Sequence, residues 1–316
     1  MKIVVLDGFA LNSGDLSWAP LSACGELVVY DRTAAAEVVA RCREATVVLT
    51  NKVPLDNATL QQLPQLKLIS VLATGFNIVD ADAAKSLGIT VCNVPAYSTA
   101  SVAQHTFALL LELTNHTGLH IQSVAAGEWQ HAPDFAYTKK PVAELDGKTL
   151  GLVGFGHIGQ QTARIGAAFG MKILYNSRTE KNTALGKFAA LETVFAQSDV
   201  VSLHCPLTTE NKGFINKTVL QRMKPSALFI NTARGPLVNE KDLADALNSN
   251  TIAGAALDVL STEPPAENNP LLHARNCILT PHIAWMSREA RQRLLDNTAR
   301  NVDAFLAGQA VNVVNA

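Results

Sequence analysis

The sequence predicts an α/β protein built on parallel sheets, and three observations lead to that class. Short β-branched runs alternate with helical patterns along most of the 316 residues. Strands separated by helices pair in parallel through right-handed crossovers. The alternation comes in two series, with a change of pattern at Ser98, and the second series opens on a strand, a glycine-rich turn and a helix.

The first series contains the strand-like runs "KIVVLD", "ELVVYD", "TVVLT", "LKLISVLAT" and "ITVCNV". Between them lie helix-like pieces such as "AAAEVVARCREA" and "DADAAKSLG". From Ser98, "STASVAQHTFALLLELTNH" places Val102, Thr106, Leu109, Leu110 and Leu113 on one helical face, with Ser or Thr available as N-cap. The segment "GEWQHAPDFAYTKKPVAEL" has no period and reads as a long excursion. The second series has six strand-like runs: "TLGLVGFG", "KILYNS", "VVSLHC", "ALFINTA", "IAGAALDV" and "CILTPH". The helix "SREARQRLLDNTARNVDAFLAG" closes the chain.

Composition narrows the function. With 48% hydrophobic and 17% charged residues the chain has a globular balance. A net charge of −1 gives no basic field to draw it to nucleic acid or an anionic membrane. The five cysteines form no CxxC and no regular spacing, which suggests reduced thiols in a cytoplasmic protein. The opening "MKIVVLDGFA" is too short for a signal peptide or a membrane span and suits a first strand. His204 has no partner at ligand spacing and there is no HExxH, so no metal is expected.

Gly154-Phe155-Gly156-His157-Ile158-Gly159 follows an apolar strand and opens a helix, the context that turns a weak GxGxxG pattern into a dinucleotide-binding signal. Gly154 permits the tight turn, Gly156 lets the backbone approach a pyrophosphate, and Gly159 lets the helix pack against the strand. His157 and Ile158 then bring the helix N-terminus to the phosphates. At the end of the next strand, where such sites carry an acid for the ribose hydroxyls, the chain has Asn176, Ser177 and Arg178. A neutral amide does not repel a 2′-phosphate. Ser177 can donate to phosphate oxygens and Arg178 can bind them. The expected cofactor is therefore NADP(H) by preference, with NAD(H) possible.

Three further pieces follow predicted strands: "NTARG", "ALDVLSTEPP" and "PHIAW". Strand C-termini line the ligand crevice of an open α/β sheet. These pieces supply Arg234, Glu263 and His282: a cation, an acid and a titratable base, the set that reduction of a 2-keto acid needs.

With these motifs in place the chain resembles the D-isomer-specific 2-hydroxyacid dehydrogenases. The resemblance runs over essentially the whole length, through "SVAQHTFALLL", GFGHIG, "SLHCPLTTENKGFIN", NTARG, the glutamate motif and PHIAW. "MKIVVLDGFALNSGDLSW" and "VLTNK…VLATGFNIVD" are similar to the glycerate dehydrogenase and hydroxypyruvate reductase members. The resemblance implies two Rossmann-like domains. A doubly wound cofactor domain, residues 99–286, would be inserted into a smaller flavodoxin-like substrate domain formed by 1–98 and 287–316. It also implies a homodimer formed through the 100–145 region.

The implied chemistry is hydride transfer between the nicotinamide and C2 of a small 2-keto or 2-hydroxy acid, with hydroxypyruvate or glyoxylate foremost. His282 would donate the proton to the keto oxygen. Glu263 would orient the imidazole, and Arg234 would hold the substrate carboxylate and polarise the keto group. The N–H groups of Ala73, Thr74 and Gly75 would take the other carboxylate oxygen, and Lys52 and Trp285 would face a small polar C3 group. Asp258 would accept from the nicotinamide amide. Cys205 and Pro206 would lie beside the cofactor through their backbone, and Thr106, Thr232, Ala233, His282 and Ala284 complete its implied contacts. Two other readings share the fold. A cofactor-sensing corepressor would bind without turnover. A phosphite or formate dehydrogenase is the third, and formate-specific relatives carry Gln where Glu263 stands.

Overall fold

The computed structural model describes residues 1–316, which form two compact units, Met1–Ser98 with Trp285–Ala316, and Thr99–Ala284. The second crossing falls after Ala284 rather than after Met286, where the sequence suggests it. Trp285 packs in the first unit, edge-on to Tyr97 at 6.2 Å between ring centroids.

Unit 1 holds a parallel sheet of β1 (Lys2–Val5), β2 (Glu26–Val29), β3 (Val47–Thr50), β4 (Leu68–Val71) and β5 (Thr90–Cys92), in the order β2-β1-β3-β4-β5. This is the flavodoxin-like order. Every residue of β3 and β4 is buried, as strands covered on both faces require. Alternate side chains enter opposite cores: Val4, Ile69 and Val71 on one face, Ile3, Val5 and Leu68 on the other. The second face is closed by Ala290, Leu294, Leu295, Ala299 and Val302 of the helix Arg288–Leu306, which Ser287 caps by accepting from Ala290 N.

Unit 2 holds a seven-stranded parallel sheet: β6 (Thr149–Val153), β7 (Lys172–Asn176), β8 (Lys187–Phe188), β9 (Val200–Leu203), β10 (Leu228–Asn231), β11 (Gly254–Leu257) and β12 (Cys277–Leu279). The order is β12-β11-β10-β9-β6-β7-β8, so the chain reverses its direction of travel at β6, as in dinucleotide-binding folds. The helix Thr99–Asn115 covers one face, burying Phe107, Leu109, Leu110 and Leu113 against Leu150, Leu152, Ile230 and Ala256. Phe195, Leu243 and Leu247 fill the other face against Val201, Phe229 and Ala255.

Two local expectations change. The sequence suggests six strands here, and the structure adds β8, a two-residue edge strand beside β7 with no apolar period to announce it. "AAAEVVARCREA" is a 3₁₀ turn, Ala35–Glu37, running into a short helix, Val38–Cys42. Of the excursion after the second helix of unit 2, only Trp129–His131 takes a regular form, a 3₁₀ turn.

Candidate active site

The glycine loop leaves β6 at the point where the sheet reverses. Gly154 has φ +101°, and a Cβ there would meet the carbonyl carbon and oxygen of His204 at 2.5 Å. Gly159 is equally closed: a Cβ would stand 2.3 Å from the Gly154 carbonyl oxygen. Gly156 differs, since a Cβ there would meet nothing within 4 Å. Its lack of a side chain serves no internal packing and keeps open space beside the backbone. Gly156 is also the N-cap of the helix His157–Ala168, and no side chain caps that helix. The N–H groups of its first turn, His157, Ile158 and Gly159, therefore face an open cradle that suits a pyrophosphate.

β7 ends on Asn176, whose carbonyl accepts from Gly154 N at 2.9 Å and whose Nδ2 donates to Ala189 O at 2.9 Å. The amide nitrogen is thus tied down, leaving Oδ1 as an acceptor. Ser177 Oγ donates to Thr179 O at 2.7 Å, a bond that closes the local turn. Arg178 is exposed and makes no ion pair or hydrogen bond.

Arg234, Glu263 and His282 follow β10, β11 and β12, three adjacent strands, so all three leave the same edge of the sheet. His282 Nδ1 lies 2.6 Å from Glu263 Oε2, and Glu263 Oε1 accepts from Leu260 N at 3.0 Å. The pair is partly open to solvent. Arg234 is half-buried, and its Nη1 donates to Ala233 O at 2.7 Å. Asn231 shapes the approach: Oδ1 accepts from Ala233 N and Nδ2 donates to Arg234 O.

His282 has φ +56°, a left-handed conformation costly for a residue with a Cβ. Its surroundings impose it. His282 N donates to Asp258 O at 2.9 Å and Thr280 O at 3.0 Å. The next two N–H groups, of Ile283 and Ala284, donate to the Asp258 carboxylate at 2.9 and 2.8 Å. Thr280 Oγ1 donates to Asp258 Oδ1 at 2.6 Å and meets His105 Nε2 at 3.0 Å. Ser101 Oγ donates to Ala284 O at 2.6 Å. Burial alone would raise the Asp258 carboxyl. The bonds from His105, Thr280, Ala284 and Ile283 outweigh it and hold Asp258 below its usual range. Asp258 is 2% exposed, so its first role in the structure is to fold the turn that presents His282.

The remaining implied contacts vary. Thr106 is buried, with its hydroxyl engaged by Val102 O and Thr232 Oγ1. Ala233 and Ala284 are buried at strand ends, while Pro206 is exposed. Burial raises the Cys205 thiol to about 11 and the other cysteines similarly, so Cys205 stays protonated and is no nucleophile. Burial lowers His204 to about 3, keeping it neutral beside Ser202 Oγ. No group of three or more His, Cys, Asp or Glu side chains could hold a metal ion.

In unit 1 the loop after β4 is an anion acceptor in form. The Leu72, Ala73 and Thr74 carbonyls accept from Asn51 Nδ2 (2.6 Å), Val94 N (3.0 Å) and Asn93 Nδ2 (2.7 Å). The N–H groups of Ala73, Thr74 and Gly75 have no acceptor. Three successive free N–H groups on a solvent-reachable turn form a nest for a carboxylate. Lys52 is exposed and Trp285 is half-buried. Sequence alone assigns no role to Asp7, Asn51, Ser101, His105 or Thr280, although the first four lie in stretches that carry the resemblance. The only signal for them is a polar residue at or near the end of an apolar strand or on a helix face.

Residues 107–284 match the family model described as "D-isomer specific 2-hydroxyacid dehydrogenase, NAD binding domain". The chain is 49% identical over 323 aligned positions to a hydroxypyruvate reductase of Blautia hydrogenotrophica, covering all of both chains. A D-lactate dehydrogenase from Aquifex aeolicus complexed with NAD and lactic acid superposes with a TM-score of 0.87 at 29% identity, over 100% of this chain and 99% of that one. An acyclic imino acid reductase in complex with NADPH and D-Arg superposes at 0.89 and 29% identity, over 99% and 100%.

Proposed function

The chain belongs to the D-isomer-specific 2-hydroxyacid dehydrogenases and is an NAD(P)-dependent oxidoreductase of 2-keto acids; we propose that its substrate is hydroxypyruvate, with glyoxylate second, and that NADPH is the preferred cofactor. The bound nicotinamide supplies the hydride. The observation that carries the reading is the 2.6 Å His282–Glu263 pair, on a turn that forces His282 out of its preferred backbone conformation.

Each residue has a stated task. Glu263 fixes Nδ1 of His282, which leaves Nε2 to give its proton to the keto oxygen and to take one back in oxidation. Glu263 also balances the charge on the proton-donating ring. Arg234 holds the substrate carboxylate and polarises the keto group. The free N–H groups of Ala73, Thr74 and Gly75 donate to a carboxylate oxygen. Lys52 and Trp285 meet the C3 hydroxyl. Gly154, Gly156, His157, Ile158 and Gly159 cradle the pyrophosphate, and Arg178 pairs with a 2′-phosphate that Asn176 does not repel. Asn176 Oδ1 accepts from a ribose hydroxyl when NADH binds instead. The named relative is a reductase of hydroxypyruvate, a 2-keto acid with a C3 hydroxyl, which supports the substrate and disfavours the corepressor alternative.

The enzyme acts as a homodimer in the cytoplasm. Ile121, Val124, Trp129, Phe135 and Val142 are exposed apolar side chains within one short stretch, and Phe135 is 93% exposed. Nearby, a largely apolar cavity of about 890 Å³ is lined by Leu113, Leu119, Pro141 and Leu228 among others. A second copy of the same stretch supports burial of such a surface. Five unpaired cysteines suit a reducing compartment.

The test is a panel of 2-keto acids assayed with NADPH and with NADH, alongside sedimentation of the protein. Highest kcat/KM for hydroxypyruvate with NADPH in a dimer meets the proposal. Preference for a 2-keto acid with an apolar C3 group, or for NADH, refutes the corresponding part.

A further inference from the structure

Asp7, at the end of β1, is a buried acid with no ion pair, 8% exposed. Burial pushes its carboxyl above the usual range. Its oxygens accept from three successive backbone N–H groups of the turn after β3: Asn51 at 2.8 and 3.0 Å, Lys52 at 2.6 Å and Val53 at 3.2 Å. Thr50 Oγ1 closes the same turn, accepting from Val53 N at 3.1 Å and donating to Val53 O at 3.0 Å. The turn carries Asn51, 5% exposed, whose Nδ2 donates to Leu72 O at 2.6 Å. Leu72 N in turn donates to Thr50 O at 2.8 Å. Leu72 is therefore held at both its N–H and its carbonyl, immediately before Ala73.

Burying a carboxylate without a cation is costly, and an apolar side chain would serve packing at this strand end better. What the polar chain does instead is transmit position. Asp7 fixes the 51–53 turn, the turn aims Asn51, and Asn51 fixes the peptide that leads into the free N–H groups of Ala73, Thr74 and Gly75. We propose that Asp7 and Asn51 are positioning residues for that carboxylate nest and so set affinity for the 2-keto acid, not the rate of hydride transfer. The inference rests on the assignment of Ala73–Gly75 as the carboxylate loop.

The experiment compares Asn51→Ala, Asp7→Asn and Gly75→Pro, which deletes one N–H of the nest, in the full-length enzyme. Steady-state kinetics with hydroxypyruvate and NADPH are paired with calorimetric binding of oxalate, a dicarboxylate with no keto carbon to reduce. Asn51→Ala and Gly75→Pro should each raise the KM of the keto acid and the oxalate Kd about tenfold, with kcat and the NADPH KM within about twofold. Asp7→Asn should shift the same two quantities in the same direction. If Gly75→Pro does not fold, Asn93→Ala, which frees the Thr74 carbonyl, takes its place. Weaker oxalate binding in Gly75→Pro with none in Asn51→Ala overturns the positioning role and leaves the loop assignment standing. Unchanged binding in Gly75→Pro overturns both, whatever Asn51→Ala does. A loss of kcat in step with thermal stability, at constant KM, shows a structural role only and also overturns the proposal.

Discussion

His282 and Glu263 come from turns after neighbouring strands and meet at 2.6 Å between Nδ1 and Oε2. The contact leaves Nε2 as the working nitrogen. His282→Ala should lower kcat by about 100-fold or more, with NADPH affinity unchanged. On the proposed reading Glu263 contributes to the chemistry through the ring, so the double variant Glu263→Gln, His282→Ala should be no slower than His282→Ala alone. Rates from single turnovers decide it, and additive losses would give Glu263 a separate role.

On the proposed reading, Arg234 anchors the substrate carboxylate with its planar fork. Arg234→Lys keeps the charge and loses that geometry, so KM should rise and kcat fall together. An unchanged KM across several 2-keto acids would move the anchor elsewhere.

On the proposed reading, Arg178 and Asn176 set the preference for NADPH. Arg178→Ala should remove the proposed charge-assisted bond to the 2′-phosphate, worth roughly 1.5–3 kcal/mol, and raise the KM for NADPH about tenfold or more. Asn176→Asp should place a negative charge against the proposed 2′-phosphate position and give the ribose hydroxyls an acceptor. The double variant should prefer NADH in kcat/KM. Arg178→Ala without effect on NADPH would end the phosphate reading.

Gly154 and Gly156 separate two functions of one loop. Gly154→Ala drives a Cβ into the His204 carbonyl at a strained φ, so the thermal midpoint should fall. A Cβ at Gly156 meets nothing within 4 Å, so Gly156→Val should keep its stability while NADPH binding, read by fluorescence titration, is lost. A destabilised Gly156→Val with intact binding would contradict this division.

Asp258 predicts acid sensitivity. Its carboxyl is held below the ordinary 3.8 in the folded state. The folded state binds fewer protons, so the stabilisation is complete above that value and is lost as pH falls through the lower folded value. Between about pH 5 and about pH 3 the thermal midpoint of Asp258→Asn should fall less steeply than that of the wild type. Parallel slopes would show the carboxylate contributes nothing to this limb.

The strands were legible because β3, β4 and β9 are buried on both faces and therefore read as largely apolar runs, interrupted only by Ser70 and Ser202 before their last residues. β8 was not, since two residues carry no period. The glycine loop was legible because its spacing follows from backbone sterics. Arg234, Glu263 and His282 stood out as chemistry-bearing types at strand ends. Their supports did not. Asp7 bonds across 44 to 46 positions to reach its turn, and Ser101 reaches Ala284 across 183. The bond from Ser177 Oγ to Thr179 O, which closes the turn after β7, also has no signal in the sequence.

Unit 2 is one continuous segment, whereas unit 1 is finished by residues 285–316. A ribosome adds about 5–20 residues per second, so on the order of ten seconds or more separate the making of Ser98 from that of Trp285. Throughout that interval Ile3, Val5, Leu49 and Leu68 lack the leucines and valine of the last helix. The dinucleotide half can mature on the nascent chain while the first sheet waits with one greasy side bare. A transcript broken before the codon for Trp285 therefore yields a client for chaperones and proteases, not a smaller enzyme.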